Sequence, residues 1–142
     1  MGELNSTVAK SEYLFPSEDF DPVLAAEALA SALKYLKSEW GLSNEKIASI
    51  LKVSKTTIKN WLDEDSVPVS RGTLSADVEA LVSLLSIQKS LFAMFSTSEK
   101  QLEWLSTVHP VFGDKPLNLM MRSNEDLFAI RQYLDYVRGR GA

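Results

Sequence analysis

No cysteine occurs in this chain, and His109 is its only histidine. Disulfides, thiolate nucleophiles and every Cys/His zinc arrangement are therefore excluded, and a reducing cytoplasm is the expected setting. No apolar run approaches the ~18 residues that cross a bilayer, so no membrane association is expected. The N-terminus lacks the basic-then-apolar pattern of a secretory signal. Glycine is sparse, with six residues, and no phosphate-cradling loop is spelled out. His109 beside Asp114 resembles a base with its orienter, but no nucleophile elbow or oxyanion loop accompanies them. The expectation is a protein that is not an enzyme, with no catalytic residue, no metal and no cofactor.

What is present is ordinary in bulk and uneven in detail. Hydrophobic residues make up 45% and charged ones 24% of 142 residues, with a formal net charge of −4. That is enough for one compact domain or two small ones. Against this acidic background, residues 42–62 (LSNEKIASILKVSKTTIKNWL) hold Lys46, Lys52, Lys55 and Lys59 against Glu45 alone, a local +3. Ser43 reads as the N-cap of a short helix whose inner face is Ile47, Ala48, Ile50 and Leu51. Lys52-Val53 makes a turn, and Ser54 caps a second helix with Ile58, Trp61 and Leu62 inside. A left-handed residue at Lys52, where glycine is usual, would cost about 1 kcal/mol.

The outer side of that second helix carries Lys55, Thr56, Thr57, Lys59 and Asn60. Asparagine grips adenine with two hydrogen bonds, threonine reaches base edges or the thymine methyl, and lysine meets phosphate or guanine. Ser43, Lys46, Ser54, Lys55, Thr56, Thr57, Lys59 and Asn60 are thus the candidate DNA-contacting set, and the layout resembles an Xre-type, phage-repressor-like helix-turn-helix. Asp63-Glu64-Asp65 would be repelled by DNA and marks where the helix leaves the groove.

Elsewhere the periodicity predicts an all-α fold. Residues 1–20 read as an N-terminal arm, 21–66 as the helix-turn-helix bundle, 67–72 as a linker and 73–142 as a small helical domain. Asp21-Pro22 opens a helix that carries Leu29, Leu33, Leu36 and Trp40 and stops at Gly41. A long helix over about 75–95 bears one apolar stripe at Val78, Leu81, Val82, Leu85 and Phe92, and another at Leu84, Ile87, Leu91 and Met94. Apolar nearly all round, it needs two coverings. Leu84, Ile87, Leu91 and Met94 are therefore the candidate homodimer surface, the alternative being that C-terminal helices cover both stripes within one chain. Ser98 with Gln101 reads as a capping box, and Asn124 as the cap of the last helix. Between them, prolines and Gly113 predict a rigid turn over 109–117.

Residues 104–120 (WLSTVHPVFGDKPLNLM) and 133–139 (YLDYVRG) are similar to the toxin-binding region of the Xre/MbcA/ParS antitoxin family. The resemblance is carried by Trp104, Pro110, Phe112, Gly113, Pro116, Leu117 and Arg138-Gly139. Family members often carry asparagine where His109 stands, a departure confined to the detail of the turn. Membership implies an antitoxin that dimerises, represses its own operon by binding its operator DNA, and neutralises a RES-domain, NAD-consuming toxin. In that reading Arg138, Gly139, Arg140 and Gly141 would thread into the toxin's entrance; the alternative is a frayed basic tail that complements the end of its own helix. The competing function is a plain dimeric repressor with a ligand- or self-binding C-terminal domain.

Overall fold

A computed structural model describes residues 20–142 except 70, 71, 73 and 142, with backbone alone at 140 and 141. The expected arm over 1–20 therefore lies outside the described residues, apart from a buried Phe20. Among the described residues there are seven helices and no strand: α1 (Pro22–Trp40), α2 (Asn44–Leu51), α3 (Lys55–Asp63), α4 (Ala76–Met94), α5 (Ser98–Leu105), α6 (Pro116–Arg122) and α7 (Asn124–Gly141). None of the described helices alone is long and apolar enough to cross a membrane.

Local signals set most of the boundaries. The Asp21 carboxylate accepts the Val23 and Leu24 N–H groups at 2.9 and 3.3 Å, ahead of Pro22. Gly41 ends α1 at φ 62°, a left-handed turn that glycine adopts without penalty. Two caps differ from expectation by one residue. Thr97, not Ser98, caps α5 by accepting the Lys100 N–H at 3.2 Å, and the Ser98 hydroxyl turns instead to Glu39 of α1. Ser123, not Asn124, caps α7 by accepting the Asp126 N–H at 3.0 Å. In each case two adjacent residues could have capped, and the backbone course decided between them.

One apolar cluster runs through the whole chain, from Leu29 and Leu33 of α1 through Ile47 and Ile58 to Leu91, Leu105, Met120, Ile130 and Leu134. The first residues of the expected 67–72 linker belong to it, Val67 within the cluster and Val69 packed against it. Val67 is fully buried, and its N–H donates to the Ala26 carbonyl at 3.1 Å. A buried polar bridge also joins the two halves: Trp40 Nε1 donates to Gln101 Oε1 at 2.9 Å, and Gln101 Nε2 donates to the Phe95 carbonyl at 3.1 Å. Fully satisfied, such a bridge fixes how α5 sits on α1.

The most extensive helix pair is α4 with α7. They run parallel, because Ser83 and then Ser90 meet Arg131 and then Arg138. Parallel neighbours need a long crossover, and α5, the 109–114 turn and α6 supply it. This pairing corrects the dimer expectation. Leu84, Ile87 and Leu91 are all fully buried inside one chain, and only Met94 of that set is exposed. The sequence alternative holds for that stripe: α7 and the neighbouring helices cover it. The second stripe stays partly open, with Val82 and Leu85 half-buried and Phe92 55% exposed.

Candidate functional site

The helix pair α2–α3 is built on its caps. Ser43 Oγ accepts the Lys46 N–H at 3.1 Å, and Ser54 Oγ accepts the Thr57 N–H at 3.0 Å. Ser54 Oγ also lies 2.9 Å from the Thr57 hydroxyl. Both serines are thus spent on their own helix starts, leaving their outer lone pairs for a ligand. Between the helices Lys52 is left-handed, at φ 60° and ψ 41°. Its ammonium donates to the Ser49 carbonyl at 2.8 Å and to the Met121 carbonyl of α6. A cation at the carbonyl ends of two helices is well placed against both dipoles. Those contacts offset the backbone strain that a non-glycine residue carries there.

The outer side of α3 is a polar shelf. Lys55, Thr56, Lys59 and Asn60 are exposed and Thr57 is half-buried, while Ile58 and Trp61 anchor the opposite side in the core. Thr56, Asn60, Lys46 and Lys55 make no side-chain bond to the rest of the described chain. Lys59 differs: its ammonium donates to Asp63 at 2.6 Å, and that bond, with the attraction behind it, raises its pKa. The acidic cluster after α3 is divided between partners, since Asp65 meets Lys34 of α1. An open cleft lined by Lys34, Lys37 and Ser43 adjoins the start of α2.

The second site is the turn between α5 and α6. His109 and Asp114 pair as an isolated bridge, with the His109 N–H donating to the Asp114 carbonyl at 3.1 Å. Inside the turn the His109 carbonyl accepts the Phe112 and Gly113 N–H groups at 3.1 and 2.8 Å. His109 Nδ1 accepts the Val111 N–H at 3.1 Å, so the imidazole proton belongs on the other nitrogen. Gly113 sits at φ 75°, a conformation that any Cβ would strain. The Asp114 carboxylate accepts the Lys115 N–H at 2.6 Å and the Asn118 amide at 3.3 Å. His109 Nδ1 and Asp114 Oδ1 thus both bind backbone N–H groups of the turn.

Aromatic packing fixes the turn from below. The His109 ring lies 5.4 Å from Trp104, 5.1 Å from Phe112 and 5.3 Å from Tyr133 of α7, and Phe112 meets Tyr133 edge-on at 5.2 Å. Such pairs contribute about 0.5–1.5 kcal/mol each beyond area burial. Pro116 is buried and Leu117 half-buried, whereas Pro110 is exposed. Above this base stand two exposed apolar side chains, Val108 at 57% and Val111 at 63%. The sequence, which suggests Val111 as an anchor of the turn beside Phe112, marks neither valine as a surface contact, because an exposed valine is set apart only by the rigidity beneath it. Tyr133 was missed as well; only its place in α7 brings it under the turn.

The end of α7 departs from the expected threading tail. Residues 139–141 continue the helix rather than leaving it. Gly139 is exposed, with open space where a Cβ would stand. Arg138 is half-buried and donates to Ser90 of α4 at 3.1 Å. The side chain of Arg140 and the surroundings of Gly141 lie outside the described residues.

Comparison with known proteins bears on the same region. Residues 90–140 match the family model described as the antitoxin Xre/MbcA/ParS C-terminal toxin-binding domain. The uncharacterised protein y4oB of Sinorhizobium fredii is 32% identical over 108 residues, covering 73% of this chain and 79% of that protein. Among solved structures, a chain of the M. tuberculosis MbcT–MbcA toxin–antitoxin complex superposes with a TM-score of 0.55 at 18% identity. That superposition covers 75% of this chain and 90% of the other, and at such identity it speaks for the fold.

Proposed function

The chain belongs to the Xre/MbcA/ParS antitoxin family, and from that premise we propose that it blocks a RES-domain, NAD-consuming toxin and represses its own operon. Toxin binding is assigned to the region 90–140 and operator binding to α2–α3. The observation that carries the proposal is the coincidence of the toxin-binding match with a turn that is held by its own backbone hydrogen bonds and ring contacts. A surface already fixed loses little conformational entropy when it docks. Val108 and Val111 then offer rigid apolar anchors, and α7 brings Arg138 and the basic end of the chain to the same region. The toxin's active-site entrance is the target, in keeping with the family resemblance.

For DNA, support comes from the shelf on α3. Its uncommitted hydroxyl and amide groups, flanked by lysines, suit base edges and phosphates. Two copies are needed to read two half-sites about 34 Å apart. In this proposal the homodimer uses the outward strip of α4, Val82, Leu85, Phe92 and Met94, in place of the stripe that the fold has consumed.

Co-expression tests the reading. The tagged chain, produced together with a RES-domain toxin, is expected to purify as a complex of fixed stoichiometry that no longer consumes NAD. A chain recovered alone, repressing its promoter while the toxin stays active, would support the plain repressor instead.

A further inference from the structure

Apolar helices seldom bury hydroxyls without a use for them, and α4 buries two. Ser83 is 3% exposed and Ser90 fully buried. Each accepts a hydrogen bond from an arginine of α7, Arg131 Nη1 at 3.2 Å and Arg138 Nη1 at 3.1 Å. Seven residues separate the serines and seven separate the arginines, so one contact recurs after two turns.

The two rungs differ in charge. Arg131 has a carboxylate on its own helix, Asp135, at 3.8 Å. Among the described residues no carboxylate pairs with Arg138. A guanidinium carries five N–H donors in a fixed plane, and Ser90 engages one nitrogen. Arg138 is thus a half-buried cation held at one edge, with no anionic partner for its other donors among the described residues. Leaving such a group unpaired carries a desolvation cost that a partner can offset.

We propose that Ser90 is a positioning residue of the toxin-binding surface: its buried hydroxyl aims the Arg138 guanidinium, whose remaining donors receive a carboxylate of the toxin. Ser90 never touches the partner; it acts through Arg138. A carboxylate is the matching chemistry because its two oxygens fit the guanidinium fork side by side. Lysine at 138 has no such fork and cannot hold Ser90 and a carboxylate together in one plane. The inference rests on the toxin-binding reading above and adds the atom that orients its charged contact. The Ser83–Arg131 rung provides an internal control, since it has the same geometry with its charge already answered.

The test is a binding titration of the RES-domain toxin that co-purifies with the wild-type chain, using full-length antitoxin variants. Ser90→Ala is expected to weaken binding by up to roughly tenfold, the reach of one hydrogen bond. Ser83→Ala should change it less than about twofold while losing similar thermal stability, because both remove one buried rung. Arg138→Lys should bind as weakly as Arg138→Ala, and Ser90→Ala should add nothing in the Arg138→Ala background. Wild-type affinity in Ser90→Ala or Arg138→Lys overturns the proposal. Equal losses from Ser83→Ala and Ser90→Ala overturn it too, since the serines would then act only through the fold. Failure of any such toxin to co-purify with the wild-type chain would sink the toxin-binding reading itself, a result distinct from a wild type that binds and variants that match it.

Discussion

The outer side of α3 and the 109–114 turn hold their polar groups in opposite ways. On α3, Thr56 and Asn60 spend nothing on their own chain, and the helix is carried by Ile58 and Trp61 from behind. In the turn, His109 Nδ1 and Asp114 Oδ1 are bound to backbone N–H groups, and Val108 and Val111 stand exposed beside them. A surface that reads a polar lattice keeps its donors and acceptors free. A surface that docks on a protein is better served by rigidity and apolar anchors. The first kind is recognisable from residue type; for the second, prolines and Gly113 announce the rigid turn, but the exposure of Val108 and Val111 shows only in three dimensions.

Three substitutions sharpen that contrast, and the largest effect belongs to neither surface. Leu84→Ala and Ile87→Ala remove fully buried side chains from the α4–α7 packing, and each should cost about 2–5 kcal/mol in urea denaturation. Phe92→Ser, on the exposed strip of the same helix, should stay within about 0.5 kcal/mol of wild type. If Leu84→Ala instead leaves unfolding unchanged and only alters the mass of the assembly, the buried assignment of this stripe is wrong.

Next come Thr56→Ala and Asn60→Ala. Each should lower discrimination between operator and unrelated DNA by about 1–3 kcal/mol in competition binding, with folding stability within about 0.5 kcal/mol. Operator preference that survives both changes would break the comparison at its first half. Lys52 gives a smaller effect with a definite sign. Glycine there relieves the left-handed strain, and alanine keeps it while losing the same carbonyl contacts. Lys52→Gly should therefore be more stable than Lys52→Ala by about 1 kcal/mol.

Most of the helices were legible because their signals are local. Asp21-Pro22, Ser43 and Ser54 announce helix starts whatever surrounds them, and the left-handed Lys52 followed from its place in the turn. The two misplaced caps, at Thr97 and Ser123, show the limit of local signals where two short polar residues adjoin. The dimer stripe failed for a different reason. Periodicity tells that Leu84, Ile87 and Leu91 must be covered, but not by which chain, and α7 lies some forty residues later. Ser83 and Ser90 carried a clue that was not used: two polar residues seven apart within an apolar helix, matched by two arginines seven apart in α7. The threading tail is an expectation of the family resemblance, and in this structure Gly139 continues a helix whose register the Arg138–Ser90 bond holds.

The smallest expected effect comes from a device found in both halves, a cation hydrogen-bonded to a carboxylate four residues on. Arg122 donates to Asp126 at 2.8 Å, and Lys59 to Asp63 at 2.6 Å. The Arg122 bond, helped by Ser123, holds the Asp126 carboxyl below its ordinary pKa against a desolvation that opposes it. A folded-state pKa below the unfolded value means that the contribution is complete above the unfolded value. It is then lost as pH falls through the depressed one. Asp126→Asn should accordingly be slightly less stable than wild type at neutral pH, with the gap closing below about pH 4. Stability curves that stay parallel into acid would show the pair contributing nothing. The same change on α3 should act on function rather than on folding. Asp63 competes with phosphate for Lys59, so Asp63→Asn should tighten binding to all DNA and steepen its salt dependence. On the proposed reading, like bonds then serve unlike ends, closing a helix junction in one half and restraining a DNA contact in the other.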